Sequence, residues 1–173
     1  NEPFLQVAIV SGLQQVSSIQ TQLVGDYNLP NILCAVVIGK YFEVPEEKIK
    51  SAIENYIPSN SRSQLLQKGT NTLILDAYNA NPTSMKAAIE NFAGLQAAKK
   101  ILMLGGMMEL GKESIAEHQN IIDLIKQYKW ANVILVGSDF GKIDHGFTFF
   151  PNSTGAKDWF TQQGFENTHF LIK

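Results

Sequence analysis

Apolar positions along this chain follow two rhythms. From Phe4 to Val10 and from Gln15 to Leu23 they alternate or run apolar as strands do, and Ser11 with Gly12 breaks the pattern between them, so the first two elements are expected to be a hairpin or sheet edge. After GDYNLPN the spacing from Asn31 to Phe42 turns helical. Pro45, followed by Glu46 and Glu47, opens a second helix through Tyr56, with proline in its first turn and acids at the positive end of its dipole.

The stretch IPSNSRSQ gathers proline, serine and asparagine and reads as a linker, which places a domain boundary between residues 57 and 58. Beyond it the pattern becomes regular. Apolar runs SQLLQKG, NTLILD, KKILMLG, NVILVG, FTFF and THFLI read as strands. Amphipathic segments Pro82 to Ala98, Glu113 to Tyr128 and Thr154 to Gln163 read as helices. Apolar strands without clean alternation, separated by helices, are what a mostly parallel sheet covered on both faces requires, so residues 58–173 are expected to form a doubly wound α/β domain.

Composition narrows the partners. The formal net charge of −2 over 173 residues leaves no basic excess for a nucleic-acid backbone. The longest apolar run, Ile32 to Gly39, falls well short of the roughly 20 residues that cross a bilayer. No signal peptide is visible, and the only cysteine, Cys34, is expected to be a small buried thiol in a cytoplasmic protein with neither nucleic acid nor membrane as partner. The chain begins without methionine and stops on an apparent strand, which is expected of a piece cut from a longer protein.

Ligands of open parallel sheets bind outside the carboxyl ends of the strands, where loops diverge and helix N-termini present N–H groups. DAYNANPTS occupies such a place. Asp76 falls at a strand end, where a carboxylate accepts hydrogen bonds from sugar hydroxyls, although a solvated loop acid is the plainer alternative. Asn81 before Pro82 is a well-formed helix entry, which leaves Tyr78 and Asn79 without a capping role.

In VGDYNLPN, Asn28 and Asn31 are spaced so that two amides share one side of the entering helix, offering the donors and acceptors that an adenine edge needs. A turn former and a helix cap would explain them equally. LGGMMELGKES is a glycine-bearing strand-to-helix loop, but neither GxxxxGK[ST] nor GxGxxG occurs. Met107 and Met108 read as packing, and Glu109 as a loop acid or a substrate contact. Arg62 is the only arginine in the sequence, and its planar fork suits bidentate phosphate binding. His118, His145 and His169 have no carboxylate at metal-ligand spacing and read as structural or exposed, so no metal site is assigned.

Taken together and in this order, LVGDYNLPN, SRSQ, DAYNANPTS and LGGMMELG resemble the Mur ligase family. The resemblance implies residues 1–57 as the remnant of a central ATPase domain and residues 58–173 as a Rossmann-like C-terminal domain, truncated at its end. It implies ATP and Mg in the whole enzyme, with the P-loop and metal ligands outside this chain. Asn28 and Asn31 would lie near the adenine, Arg62 would contact the ATP phosphates as the catalytic cation, and Asp76 would meet the ribose. Tyr78 would contact the nucleotide, and Asn79 and Asn81 would line the cleft near the incoming substrate. Tyr27 stands where many members have histidine.

Within the family the resemblance is to the branch that adds D-alanyl-D-alanine to UDP-N-acetylmuramoyl-tripeptide through an acyl phosphate. The partners would then be those substrates and the missing N-terminal and central domains, and this chain alone would be inactive. Another Mur or folylpolyglutamate-type ligase, and a non-catalytic α/β nucleotide-binding module, remain alternatives.

Overall fold

A computed structural model describes residues 4–173, which divide by internal contacts into two units, residues 4–64 and 65–173. In the first, β1 (Phe4–Ala8) pairs antiparallel with β2 (Ser18–Val24), and α1 (Leu29–Tyr41) and α2 (Glu46–Glu54) follow. Val7, Val16, Ile19 and Ile32 form its core, with Leu23, Val36 and Ile53 packed around them. Gly39 lets α2 approach closely, because a Cβ there would stand 2.8 Å from the side chain of Ile49. The loop between the strands is tied to α2 by Glu46, whose carboxylate accepts the N–H groups of Gln14 at 2.8 Å and Gln15 at 2.7 Å.

Both strands are shorter than the pattern predicts, because Ile9 to Ser17 forms a loop outside the ladder. Helix α1 starts two residues before the expected Asn31, on Leu29 and Pro30, so Asn31 lies in the first turn and Asn28 precedes the helix without a side-chain cap bond. Cys34 is exposed, contrary to expectation. The reason is that α1 is apolar all round, yet in this unit only Ile32 of the helix is fully buried, while Val37, Ile38, Tyr41 and Phe42 stay exposed.

The second unit is built on a sheet in the order β3–β4–β8–β5–β6–β7. These strands are β3 (Gln64–Lys68), β4 (Asn71–Leu75), β5 (Lys100–Gly105), β6 (Asn132–Val136), β7 (Thr148–Phe150) and β8 (His169–Ile172). From β4 to β7 all neighbours run parallel, so the domain is α/β with a mostly parallel sheet. Strand β8, last in sequence, fills the slot between β4 and β5.

Successive strand residues face opposite sides. Ile101 and Met103 therefore join a cluster with Trp159 and Phe160 of α5 (Ser153–Thr161), whereas Leu102 and Leu104 turn to the other face. Helices α3 (Pro82–Gly94) and α4 (Ser114–Ile125) pack together, with α3 against β8. Their fully buried residues include Met85, Ile89, Phe92, Ile122 and Ile125, so burial at helical spacing completes the core.

Helix ends depart from the pattern for local reasons. Helix α3 stops at Gly94 rather than Ala98: Leu95 is extended, and the Lys100 ammonium donates to the carbonyls of Phe92, Ala93 and Leu95. Helix α4 follows a 3-10 turn at Gly111–Glu113 and ends at Ile125, whose carbonyl accepts the indole N–H of Trp130 at 2.9 Å. Helix α5 begins at Ser153, with Asn152 capping Gly155 N–H at 3.1 Å. Among the described residues no helix is long and apolar enough to cross a membrane.

Candidate functional site

Two polar turns leave the carboxyl edge of the parallel sheet, one after β4 and one after β5. Asp76 follows the last residue of β4, and its N–H donates to Ile172 O at 2.9 Å, so the parallel ladder carries this carboxylate to the strand mouth. Its side chain is 15% exposed and bonds the ammonium of Lys173 at 2.6 Å. The turn then rises through Tyr78, which is exposed, to Asn79, whose side-chain oxygen accepts Ala80 N–H at 2.8 Å.

Asn81 closes the turn with a capping box. Its side chain accepts Ser84 N–H at 2.8 Å while Ser84 Oγ accepts Asn81 N–H at 3.1 Å, and Pro82 supplies the first turn of α3. The side-chain oxygen of Asn81 is therefore engaged in shaping the turn. Asn79, expected to have no local role, also uses its side chain on the backbone; its carbonyl accepts from Lys173 at 3.3 Å.

The second turn starts at Gly105 and Gly106. Gly105 N–H donates to Lys173 O at 2.6 Å and Gly106 N–H to Val136 O at 2.8 Å, which anchors the loop to both neighbouring strands. Met107 is buried, as packing requires, but Met108 is 77% exposed, contrary to the packing expectation. Glu109 takes φ 66°, a left-handed value that costs energy for a residue with a Cβ.

His118 is fully buried beneath this loop and is structural. Its Nε2 accepts Met107 N–H at 2.9 Å and its Nδ1 lies 2.7 Å from Ser114 O, which makes Nδ1 the protonated nitrogen. Ser114 Oγ donates to Asp139 at 2.6 Å. The carboxyl of Asp139 is held below its ordinary range by its bond from Lys142, then by that from Ser114.

In the first unit, Gly25 at φ 96° turns the chain out of β2 and brings Tyr27 and Asn28 back over it. Asn28 is buried and its amide nitrogen donates to Val24 O at 2.9 Å and Ser63 Oγ at 3.2 Å. Its oxygen accepts from Asn31 Nδ2 at 3.2 Å. The two amides are thus adjacent, with Asn28 used by the fold and Asn31 toward solvent. The Tyr27 hydroxyl bonds Ser63 Oγ at 3.0 Å. Asn60, Ser61 and Ser63 all have positive φ, near 60°, 55° and 49°, so Arg62 is presented, exposed, by a backbone in an unfavourable conformation.

Sequence reading did not mark Ser63 or Lys173. A buried serine that ties Tyr27 to Asn28 leaves no motif, and a lysine at the end of an apolar strand does not say which turn it will reach. Among the described residues no group of three or more His, Cys, Asp or Glu could hold a metal ion.

A parallel α/β domain whose polar turns open at the strand mouths is of the ligand-binding α/β class, and residues 61–146 match the Mur ligase, glutamate ligase domain. The chain belongs to the Mur ligase family. Within it, the chain is 32% identical over 128 residues to the UDP-N-acetylmuramoyl-tripeptide–D-alanyl-D-alanine ligase of Treponema pallidum, covering 74% of this chain and 28% of that protein. A crystal structure of MurF from Acinetobacter baumannii superposes with a TM-score of 0.77 at 25% identity, covering 91% of this chain and 36% of that one. MurF from Thermotoga maritima in complex with ADP shares the fold, with a TM-score of 0.74 at 18% identity over 90% of this chain and 36% of that one. The chain thus spans about a quarter of the curated relatives it matches.

Proposed function

We propose that this chain is the closing part of an ATP-dependent ligase of peptidoglycan synthesis that joins D-alanyl-D-alanine to UDP-N-acetylmuramoyl-tripeptide in the cytoplasm. Residues 1–57 are read as the end of its central ATP-binding domain and residues 58–173 as its C-terminal domain. The observation that carries this reading is DAYNANPTS at the carboxyl edge of the sheet, with Asp76 at the strand mouth, in a chain 32% identical to a ligase of that activity.

In this reading Asp76 accepts hydrogen bonds from the ribose hydroxyls and Arg62 contacts the phosphates, where its charge offsets that developing on the transferred phosphoryl group. Asn31, backed by Asn28, meets the adenine, and Tyr78 borders the nucleotide. Asn79 lines the cleft toward the dipeptide, while Asn81 shapes the turn. ATP phosphorylates the sugar peptide's carboxylate, the dipeptide amine attacks the acyl phosphate, and phosphate leaves. Magnesium is read as held by residues outside this chain.

The test is a phosphate-release assay on the whole protein with competing amine acceptors. D-alanyl-D-alanine is expected to give the highest kcat/KM with UDP-N-acetylmuramoyl-tripeptide, and Arg62→Ala to lower kcat by about 100-fold or more. A preference for glutamate or a folate would overturn the substrate assignment. Turnover by residues 1–173 alone would overturn the division of labour between domains.

A further inference from the structure

We infer that Lys173 is the positioning residue of the nucleotide site: its ammonium holds the turn from Asp76 to Asn79, and with it the Asp76 carboxylate, in the orientation that reads ribose hydroxyls. This rests on the proposed role of Asp76.

An ammonium has three N–H donors, and here three acceptors on one short turn surround it. Nζ lies 2.6 Å from Asp76 Oδ2, 3.2 Å from Asp76 O and 3.3 Å from Asn79 O. The Lys173 side chain is only 2% exposed, so it is enclosed and acts on a ligand through the turn rather than by touching it. Its main chain performs a parallel task at the other turn, donating to Met103 O at 3.0 Å and accepting from Gly105 at 2.6 Å. One residue therefore fixes both polar turns relative to the sheet.

Stability alone does not account for this lysine. A buried ion pair is about neutral against well-packed apolar side chains of the same volume, because desolvation offsets the attraction. What the pair supplies is direction. A carboxylate gripped at one oxygen, beside carbonyls gripped by the same nitrogen, cannot rotate away from the strand mouth, and preorganised acceptors of this kind determine how well a hydroxyl-bearing ligand is distinguished from one without hydroxyls.

The experiment compares the intact protein with Lys173→Met. Calorimetry measures binding of ADP and of 2′,3′-dideoxy-ADP, and hydrogen exchange follows the amides of Ala77, Tyr78 and Asn79. The unaltered protein is expected to prefer ADP by about tenfold or more, and Lys173→Met to reduce that preference to about twofold or less. Exchange in the turn should accelerate about tenfold while Leu102 and Leu104 keep their protection. Intact ribose preference in Lys173→Met overturns the inference, whether or not exchange accelerates.

If the unaltered protein shows no ribose preference, the reading of Asp76 fails instead, and exchange in the turn alone decides whether Lys173 holds it. Should Lys173→Met not fold, the double variant Asp76→Asn with Lys173→Met leaves no charge stranded. Turn amides exchanging no faster than in Asp76→Asn alone would then overturn the inference.

Discussion

The imidazole of His118 accepts the backbone N–H of Met107 at 2.9 Å, so a buried side chain on α4 terminates the hydrogen-bond accounting of the loop that leaves β5. Met107 itself is buried, and no water can replace the lost acceptor cheaply. His118→Ala is expected to cost about 2–4 kcal/mol, combining an unpaired N–H with the cavity beside Phe140. Ser114→Ala, which removes the hydroxyl's bond to Asp139 and its longer contact with His118 Nδ1, is expected to cost about 1 kcal/mol. Urea denaturation followed by circular dichroism ranks the two.

The capping box of α3 gives a second, smaller number. Asn81→Ala removes the acceptor for Ser84 N–H and is expected to destabilise the second unit by about 1 kcal/mol. Asn81→Asp should be nearly neutral, since its carboxylate caps as well and favours the positive helix end. Thermal melts of the three proteins check the order.

Acid should weaken the protein in two stages. Burial, and then the charge of Lys100, lowers the pKa of His169, so the unfolded chain takes up a proton near 6.5 that the folded chain refuses. Stability is therefore complete above that value and declines as pH falls below it. Glu46 follows at lower pH: its bond from Lys40, then those from the backbone N–H groups of Gln15 and Gln14, hold it below its ordinary 4.5. Its contribution is present above 4.5 and lost as pH drops through the folded value. Urea midpoints measured against pH should lose part of the first decline in His169→Asn, the rest belonging to His145, whose pKa burial also lowers, and part of the second in Glu46→Gln.

The apolar face of α1 predicts behaviour in solution. Val37 at 65%, Tyr41 at 79% and Phe42 at 71% exposure form a contiguous patch of the sort that drives association. The 173-residue chain is expected to self-associate with rising concentration, and Val37→Glu with Phe42→Ser to suppress this without lowering stability. Sedimentation velocity across a concentration series reads the difference.

How much of this was visible in the letters depends on how far each residue reaches. Asn81 and Pro82 were readable because capping is settled within four neighbouring residues. The alternation of strand and helix after residue 64 was readable because a covered parallel sheet demands apolar strands wherever they lie. Cys34 misled, since a helix apolar on every side says that it will be covered but not by what. Helix α3 ended early because Lys100, from the next strand, takes its last carbonyls, a contact between elements that helical periodicity does not encode. Lys173 was invisible for the same kind of reason: only the insertion of β8 between β4 and β5 brings it to Asp76.

That insertion also sets an order of events. Thr72 pairs with His169, and Lys100 with His169 as well, so two strands made early must wait for one made much later before either gains its central neighbour. Long-range pairing of this kind slows folding, because the loop must close before any contact rewards it. During synthesis on the ribosome, the mouth of the sheet stays unassembled while α3, α4 and α5 are already emerging, so the strand end that carries Asp76 gains its central neighbour only after all three helices.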